Sequence, residues 1–189
     1  MIGKKNIVFG FIYLVLTASL GPYMILKHFD ERRATEAVKL EKLGSLQQIV
    51  VDDYMIDLEP VKPLDLAKAN TEAILALSTR TNAQNPINSI RSGPHAHGNL
   101  EALLNIAVGF LLIFLAVPVW FKQTISWLFI AGALMHSGML YLRIGLDQQW
   151  ASVMVNGLPF ALGAGLVLLG LFLAGIAAAI GFRTTPVSD

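Results

Sequence analysis

The sequence predicts an all-α fold: a bundle of four transmembrane helices, with a partly helical extracytoplasmic segment between the first and second. Three observations predict it. Of the 189 residues, 54% are hydrophobic and 14% charged, with a mean hydropathy of +0.59, whereas a soluble domain carries about 25% charged residues. The charges are also segregated, with 19 of the 27 between Lys27 and Arg91. Elsewhere four uncharged intervals stand out: 21 residues between Lys5 and Lys27, 20 between Glu101 and Lys122, 20 between Lys122 and Arg143, and 35 between Asp147 and Arg183. A hydrocarbon core of about 30 Å takes about 20 helical residues, so each interval holds one span.

The spans are expected near residues 6–26, 100–120, 124–144 and 154–181. The first reads as an uncleaved anchor, since its apolar run continues from Thr17 through Tyr23 to Leu26 without a small-x-small cleavage site. Gly21 and Pro22 are expected to kink it. The organisation is then 1–27 for the first span, 28–98 for the extracytoplasmic segment, 99–183 for the last three spans and 184–189 for a cytoplasmic tail. Within the outer segment, 30–43 and 64–79 read as helices, and Thr79 to Pro94, rich in Asn, Ser, Pro and Gly, reads as a loop. The four acids between Asp52 and Glu59 lack the order and closing Glu of a calcium loop. The last span is entered through Asn156, Gly157 and Pro159. Its small residues Ala161, Gly165, Gly170, Ala174 and Ala178 predict close helix packing.

Lys4, Lys5, Lys122 and Arg183 share one side if both termini are cytoplasmic, which satisfies the positive-inside rule and fits a bacterial-type inner membrane. The 10 acids and 9 bases from Lys27 to Arg91 nearly cancel. A net charge of +1 with no basic stripe argues against a nucleic-acid partner. The expected partners are lipid, further copies of the chain or other subunits of a membrane complex, and a small apolar substrate or quinone. The chain has no cysteine, so disulfides, thiolate metal sites and a Cys nucleophile are excluded.

Ionisable residues inside spans are costly and mark candidate function. The second span starts with His95 and His97, and a spacing of four puts His97, Glu101 and Asn105 on one face. The third carries His136, Ser137, Tyr141 and Arg143. Counting 1.5 Å per residue from opposite ends places Asn105 and His136 at similar depth in the outer half, while the inner halves look empty of comparable groups. His95, His97 and His136 are candidate ligands for haem or for copper or zinc. Arg143 is a candidate partner for a haem propionate or for Glu101. Trp127 and Trp150 read as interface aromatics.

The run His95-Ala-His-Gly-Asn-Leu-Glu-Ala-Leu-Leu-Asn-Ile-Ala-Val-Gly-Phe110 resembles the signature of styrene oxide isomerase, matching it at His95, Leu100, Ile106, Ala107, Val108 and Phe110. The resemblance covers the three C-terminal spans, with Glu101 where that family carries asparagine and His97 where it carries glycine. It implies haem b with His95 as a ligand, a trimer holding haem between protomers, and a catalytic tyrosine at Tyr141. It also implies epoxide isomerisation, with haem iron as Lewis acid and Tyr141 with Glu101 or Asn105 beside the reacting oxygen. Two other classes stay open: an electron-transfer or quinone-site subunit of a respiratory or oxygenase complex, and a non-catalytic accessory subunit.

Overall fold

A computed structural model describes residues 1–187; Ser188 and Asp189, the end of the expected tail, lie outside the described residues. The elements are α1 (Gly3–Ala18), α2 (Leu20–Val51), β1 (Met55–Ile56), β2 (Glu59–Pro60), α3 (Pro63–Ile90), α4 (Ala96–Ile113), α5 (Val119–Ala133), α6 (Ala151–Val155) and α7 (Leu158–Gly181). Three five-residue π-helical turns interrupt them, at Arg91–His95, Leu134–Gly138 and Tyr141–Gly145. Four continuous helical stretches are long and apolar enough to cross a membrane: Gly3–Val51, Pro63–Ile113, Val119–Gly145 and Leu158–Gly181. The chain divides into two compact units, Met1–Gly21 with everything from Ser89 on, and Pro22–Asn88.

In the first unit α1 packs antiparallel on α4, and α5 antiparallel on α7. Close approach explains the glycines. An ideal Cβ on Gly109 would stand 2.6 Å from Ile7 Cγ1 and 2.8 Å from the Gly3 oxygen, and one on Gly132 would stand 2.9 Å from the Gly163 oxygen. Such contacts leave no room for a side chain, so the backbones themselves form the interface. The apolar core between the helices gathers Val108, Leu112, Leu115, Ile125, Phe129 and Val167. Beyond α7 the chain turns back, with Arg183 N–H donating to the Phe114 oxygen (2.8 Å) and Val187 N–H to the Ile113 oxygen (2.9 Å).

The buried stripe of α7 is Gly163, Val167, Gly170, Ala174, Ala177 and Gly181. This differs from the expected small-residue row. Gly170 and Ala174 belong to the stripe, but Gly165, like Gly175, faces open space. A repeat of strictly four drifts around a helix of 3.6 residues per turn, and alternating steps of three and four keep one face.

The second unit pairs the Pro22–Val51 part of α2 with α3. Arg80 Nε donates to Glu36 Oε2 (2.6 Å), and Lys42 reaches Glu72 (3.1 Å). The expected loop from Thr79 is helical as far as Ile90. Ala73, Ala76, Ala83 and Ile87 are buried at steps of three, seven and four, so a packing face carries α3 through residues that taken singly favour turns. The Thr79 and Thr81 hydroxyls bond the carbonyls four residues back (2.9 Å each), which satisfies them within the helix. The first span is interrupted beside Pro22, as expected: α1 ends at Ala18 and α2 begins at Leu20, and Ala18, four residues back, is the carbonyl that Pro22 leaves without an N–H and crowds with its ring. The acidic run from Asp52 folds as a β-hairpin, Met55 facing Pro60 and Ile56 facing Glu59.

Hydrogen bonds from Lys39 and then Arg80 hold the Glu36 carboxyl down at about 2, against an ordinary 4.5. A depressed carboxyl contributes stability above its unfolded value and loses it as pH falls towards the folded one. Carbon-13 titration should therefore find Glu36 ionised at pH 3. Lys39→Gln is expected to move its titration up further than Arg80→Gln does.

Candidate functional site

A row of polar residues lines the buried face of α1: Asn6, Tyr13 and Thr17, with Gly10 between. At 1.5 Å per residue the row covers about 16 Å of the helix axis, and each member meets a group from another helix. Asn6 Nδ2 donates to Asn105 Oδ1 (3.0 Å) and the Ser126 oxygen (3.1 Å), and the Ser126 hydroxyl donates back to Asn6 Oδ1. Asn105 Nδ2 donates to the carbonyls of Glu101 (3.0 Å) and Phe129 (3.3 Å). Asn105, 1% exposed, thus ties α1, α4 and α5 together and faces no cavity.

One turn along α4 lies the centre of the site. Glu101 is 5% exposed and its carboxylate takes two donors, His136 Nδ1 (2.5 Å) on Oε1 and the Ser137 hydroxyl on Oε2. The Tyr13 hydroxyl lies 2.7 Å from Ser137 Oγ. Two successive residues, His136 and Ser137, reach one carboxylate because they lie in the π-helical turn Leu134–Gly138, whose wider coil spreads side chains differently from an α-helix. The three π-helical turns pack against one another. Such turns are frequent at functional sites. The first has a visible cause: Pro94 brings no N–H, and Gly93 before it leaves helical geometry at φ −89°, ψ −108°.

His136 Nδ1–H given to a carboxylate fixes the tautomer and leaves Nε2 as the electron-pair donor. The ring is flanked by Phe160 (centroids 4.5 Å) and, edge to face, by His97 (5.0 Å). Of the four histidines, His97 alone is exposed. His95 stands apart from this group. Its Nδ1–H donates to the Thr17 oxygen (3.0 Å), and the Thr17 hydroxyl donates to Asn99 Oδ1 (2.8 Å). An ideal Cβ on Gly21 would be 3.8 Å from His95 Nε2.

The expected face of His97, Glu101 and Asn105 therefore divides. Glu101 meets His136 and His97 stands beside it, whereas Asn105 belongs to the next layer with Asn6 and Ser126. The half of the bundle near Lys5 and Lys122, expected to lack such groups, is not empty: Asn6, Ser126 and Lys122 are all buried there, Lys122 at 1% exposure. Arg143 pairs with Asp147 (3.0 Å), four residues away on its own turn, and not with Glu101. Tyr141 lines an apolar cleft on the far side of Tyr13. Asn156 is exposed beyond α6, and Trp127 and Trp150 are exposed too, with Lys5 Nζ 4.3 Å over the Trp127 ring. Among the described residues no three of His, Cys, Asp and Glu converge as a metal site, so His95, His97 and His136 do not form one cluster. The α1 partners Asn6, Tyr13 and Thr17 were absent from the sequence reading, although their spacing of seven and four around Gly10 marks one helix face.

No known protein family, curated protein or solved structure matches the chain.

Proposed function

We propose that this protein is an integral membrane protein that binds haem b through a single imidazole, that of His97, beside the Glu101–His136 pair. The observation that supports the reading is the Glu101–His136 pair: metal-binding imidazoles usually give their other ring N–H to a carboxylate, carbonyl or water, which is the state of His136, and the one exposed histidine, His97, lies against it. The pair would offer haem one imidazole, because the His97 and His136 rings lie edge to face with centroids 5.0 Å apart. That distance favours an isomerase-like reading over electron transfer by a bis-histidine haem.

Bound haem would supply a Lewis-acidic iron for the oxygen of a small apolar epoxide. The chain's own part is to hold His97 against His136, keep the His136 proton on Nδ1, and exclude water with Phe160 and the apolar helices. Glu101 acts through His136 and Ser137 in this reading, with Asn105 fixing the helix behind it. Copper on His97 and His136 is the alternative loading.

Protein purified in detergent is expected to show a Soret band that His97→Ala abolishes and His95→Ala keeps. Absence of haem on pyridine extraction, or loss of the band only with His95→Ala, overturns the assignment. A second reading, a non-catalytic accessory subunit, is favoured by the Asn6–Asn105–Ser126 layer, whose bonds join helices and face no ligand. Under it the protein carries no haem and Glu101 contributes only stability.

We further place both termini in the cytoplasm and 28–98 outside, as Lys4, Lys5 and Arg183 support. The chain is naturally free of cysteine, so Gly44→Cys should label with an impermeant maleimide in intact cells, and Thr184→Cys only after permeabilisation. The reverse pattern contradicts this orientation.

A further inference from the structure

The apolar cleft beside Tyr13 has a volume of about 490 Å³ and is lined by Phe9, Ile12, Tyr13, Gly138, Met139 and Tyr141, among others. That lies in the range of about 300–1,000 Å³ typical of small-molecule sites. We propose that this cleft binds a small aromatic molecule carrying a hydroxyl, of the phenol or quinol-head class, whose O–H donates to the Tyr13 oxygen. The proposal goes beyond the haem reading and does not depend on it.

The chemistry of the ligand follows from the order of the hydrogen bonds. A carboxylate only accepts, so the single proton of the Ser137 hydroxyl goes to Glu101 Oε2. Ser137 Oγ must then accept from Tyr13, 2.7 Å away. With its own proton committed inward, the Tyr13 oxygen keeps lone pairs and offers the cleft an acceptor. The other polar group on the lining is the Tyr141 hydroxyl, which both donates and accepts, so acceptors outnumber donors and the cleft selects a molecule that brings a donor. The wall suits a ring, since Phe9 and Tyr13 are stacked with centroids 5.2 Å apart and planes at 18°.

Space beside the hydroxyl exists because position 138 is glycine. An ideal Cβ there would lie 3.5 Å from the Tyr13 hydroxyl, in ordinary contact, so alanine fits and a larger side chain fills the ligand's place. Tyr141 borders the same cleft, which gives it a place at a ligand. Through Ser137 the cleft is also joined to Glu101 and His136, so an occupant that donates to Tyr13 extends the same chain of hydrogen bonds.

The test is fluorine-19 NMR binding of a fluorinated 4-butylphenol and its methyl ether to the full chain in lipid nanodiscs. One hydrogen bond of about 1 kcal/mol makes the phenol bind about fivefold tighter than the ether. Tyr13→Phe should equalise the two, Gly138→Leu should abolish binding of both, and Gly138→Ala should preserve it. If Tyr13→Phe fails to fold, the phenol-to-ether ratio in the wild type and the Gly138 pair decide the matter. Equal affinity of phenol and ether for the wild type, absence of binding by either, or undiminished binding to Gly138→Leu overturns the proposal.

Discussion

Replacing Glu101 by alanine is expected to destabilise the bundle by about 1–3 kcal/mol for each buried donor left without an acceptor. The loss falls chiefly on His136 Nδ1, whereas the Ser137 and Tyr13 hydroxyls keep the Ala133 oxygen as an acceptor at 3.3 and 3.4 Å. Each of these groups is buried, so water does not easily substitute, and an unmet buried donor costs about 1–3 kcal/mol. Glu101→Gln should fall between alanine and the wild type. Its amide oxygen still accepts one donor, while its NH2 group opposes the other. Reversible unfolding in mixed detergent micelles measures the series, and an alanine variant within about 0.5 kcal/mol of the wild type, the level of a neutral surface change, contradicts the account.

Gly109→Leu is expected to be at least as damaging, for a steric reason. The Cβ position at 109 already lies 2.8 Å from the Gly3 oxygen and 2.9 Å from the Ile7 nitrogen, and backbone atoms of a neighbouring helix cannot turn aside as a side chain does. The helices α1 and α4 must separate, which pulls Asn6 from Asn105 and Tyr13 from Ser137. Overpacking costs about 1–3 kcal/mol where side chains can adjust, and here the cost should exceed that range. Gly165→Leu and Gly175→Leu provide the contrast, because nothing lies within 4 Å of either Cβ position. They should change stability by less than about 0.5 kcal/mol. If all three variants behave alike, the packing described for α1 and α4 is wrong.

Much of the architecture could be read from the sequence because a span announces itself by what it lacks. The four long uncharged intervals each belong to a helical stretch long enough to cross, although the second stretch ends at Ile113, seven residues before the expected end, and the entry to the last one through Gly157 and Pro159 lies where the composition placed it. What escaped reading were effects of register and packing. Asn, Ser and Pro between Thr79 and Ile90 taken singly favour turns; the burial of Ala83 and Ile87 among them keeps the segment helical. The π-helical turns shift side chains by a residue, so an α-helical wheel put Tyr141 and Arg143 beside His136, whereas Tyr141 faces a cleft and Arg143 turns to Asp147. The site was half legible. Glu101 and His136 were singled out as ionisable residues within spans, but their partner helix α1 was treated as a plain anchor. Its message lay in Asn6, Tyr13 and Thr17, neutral polar residues that a search for charge passes over.

The central claim is that Glu101 and His136 work as one unit whose coupling fixes the imidazole. A double-mutant cycle with Glu101→Ala, His136→Ala and the pair, followed by unfolding in mixed micelles, measures that coupling directly. Residues in one buried network couple by about 0.5–3 kcal/mol, and a bond of 2.5 Å to a buried carboxylate puts the expected value in the upper half of that range. Single costs that add to the double within about 0.5 kcal/mol would show the two residues acting independently and contradict the account.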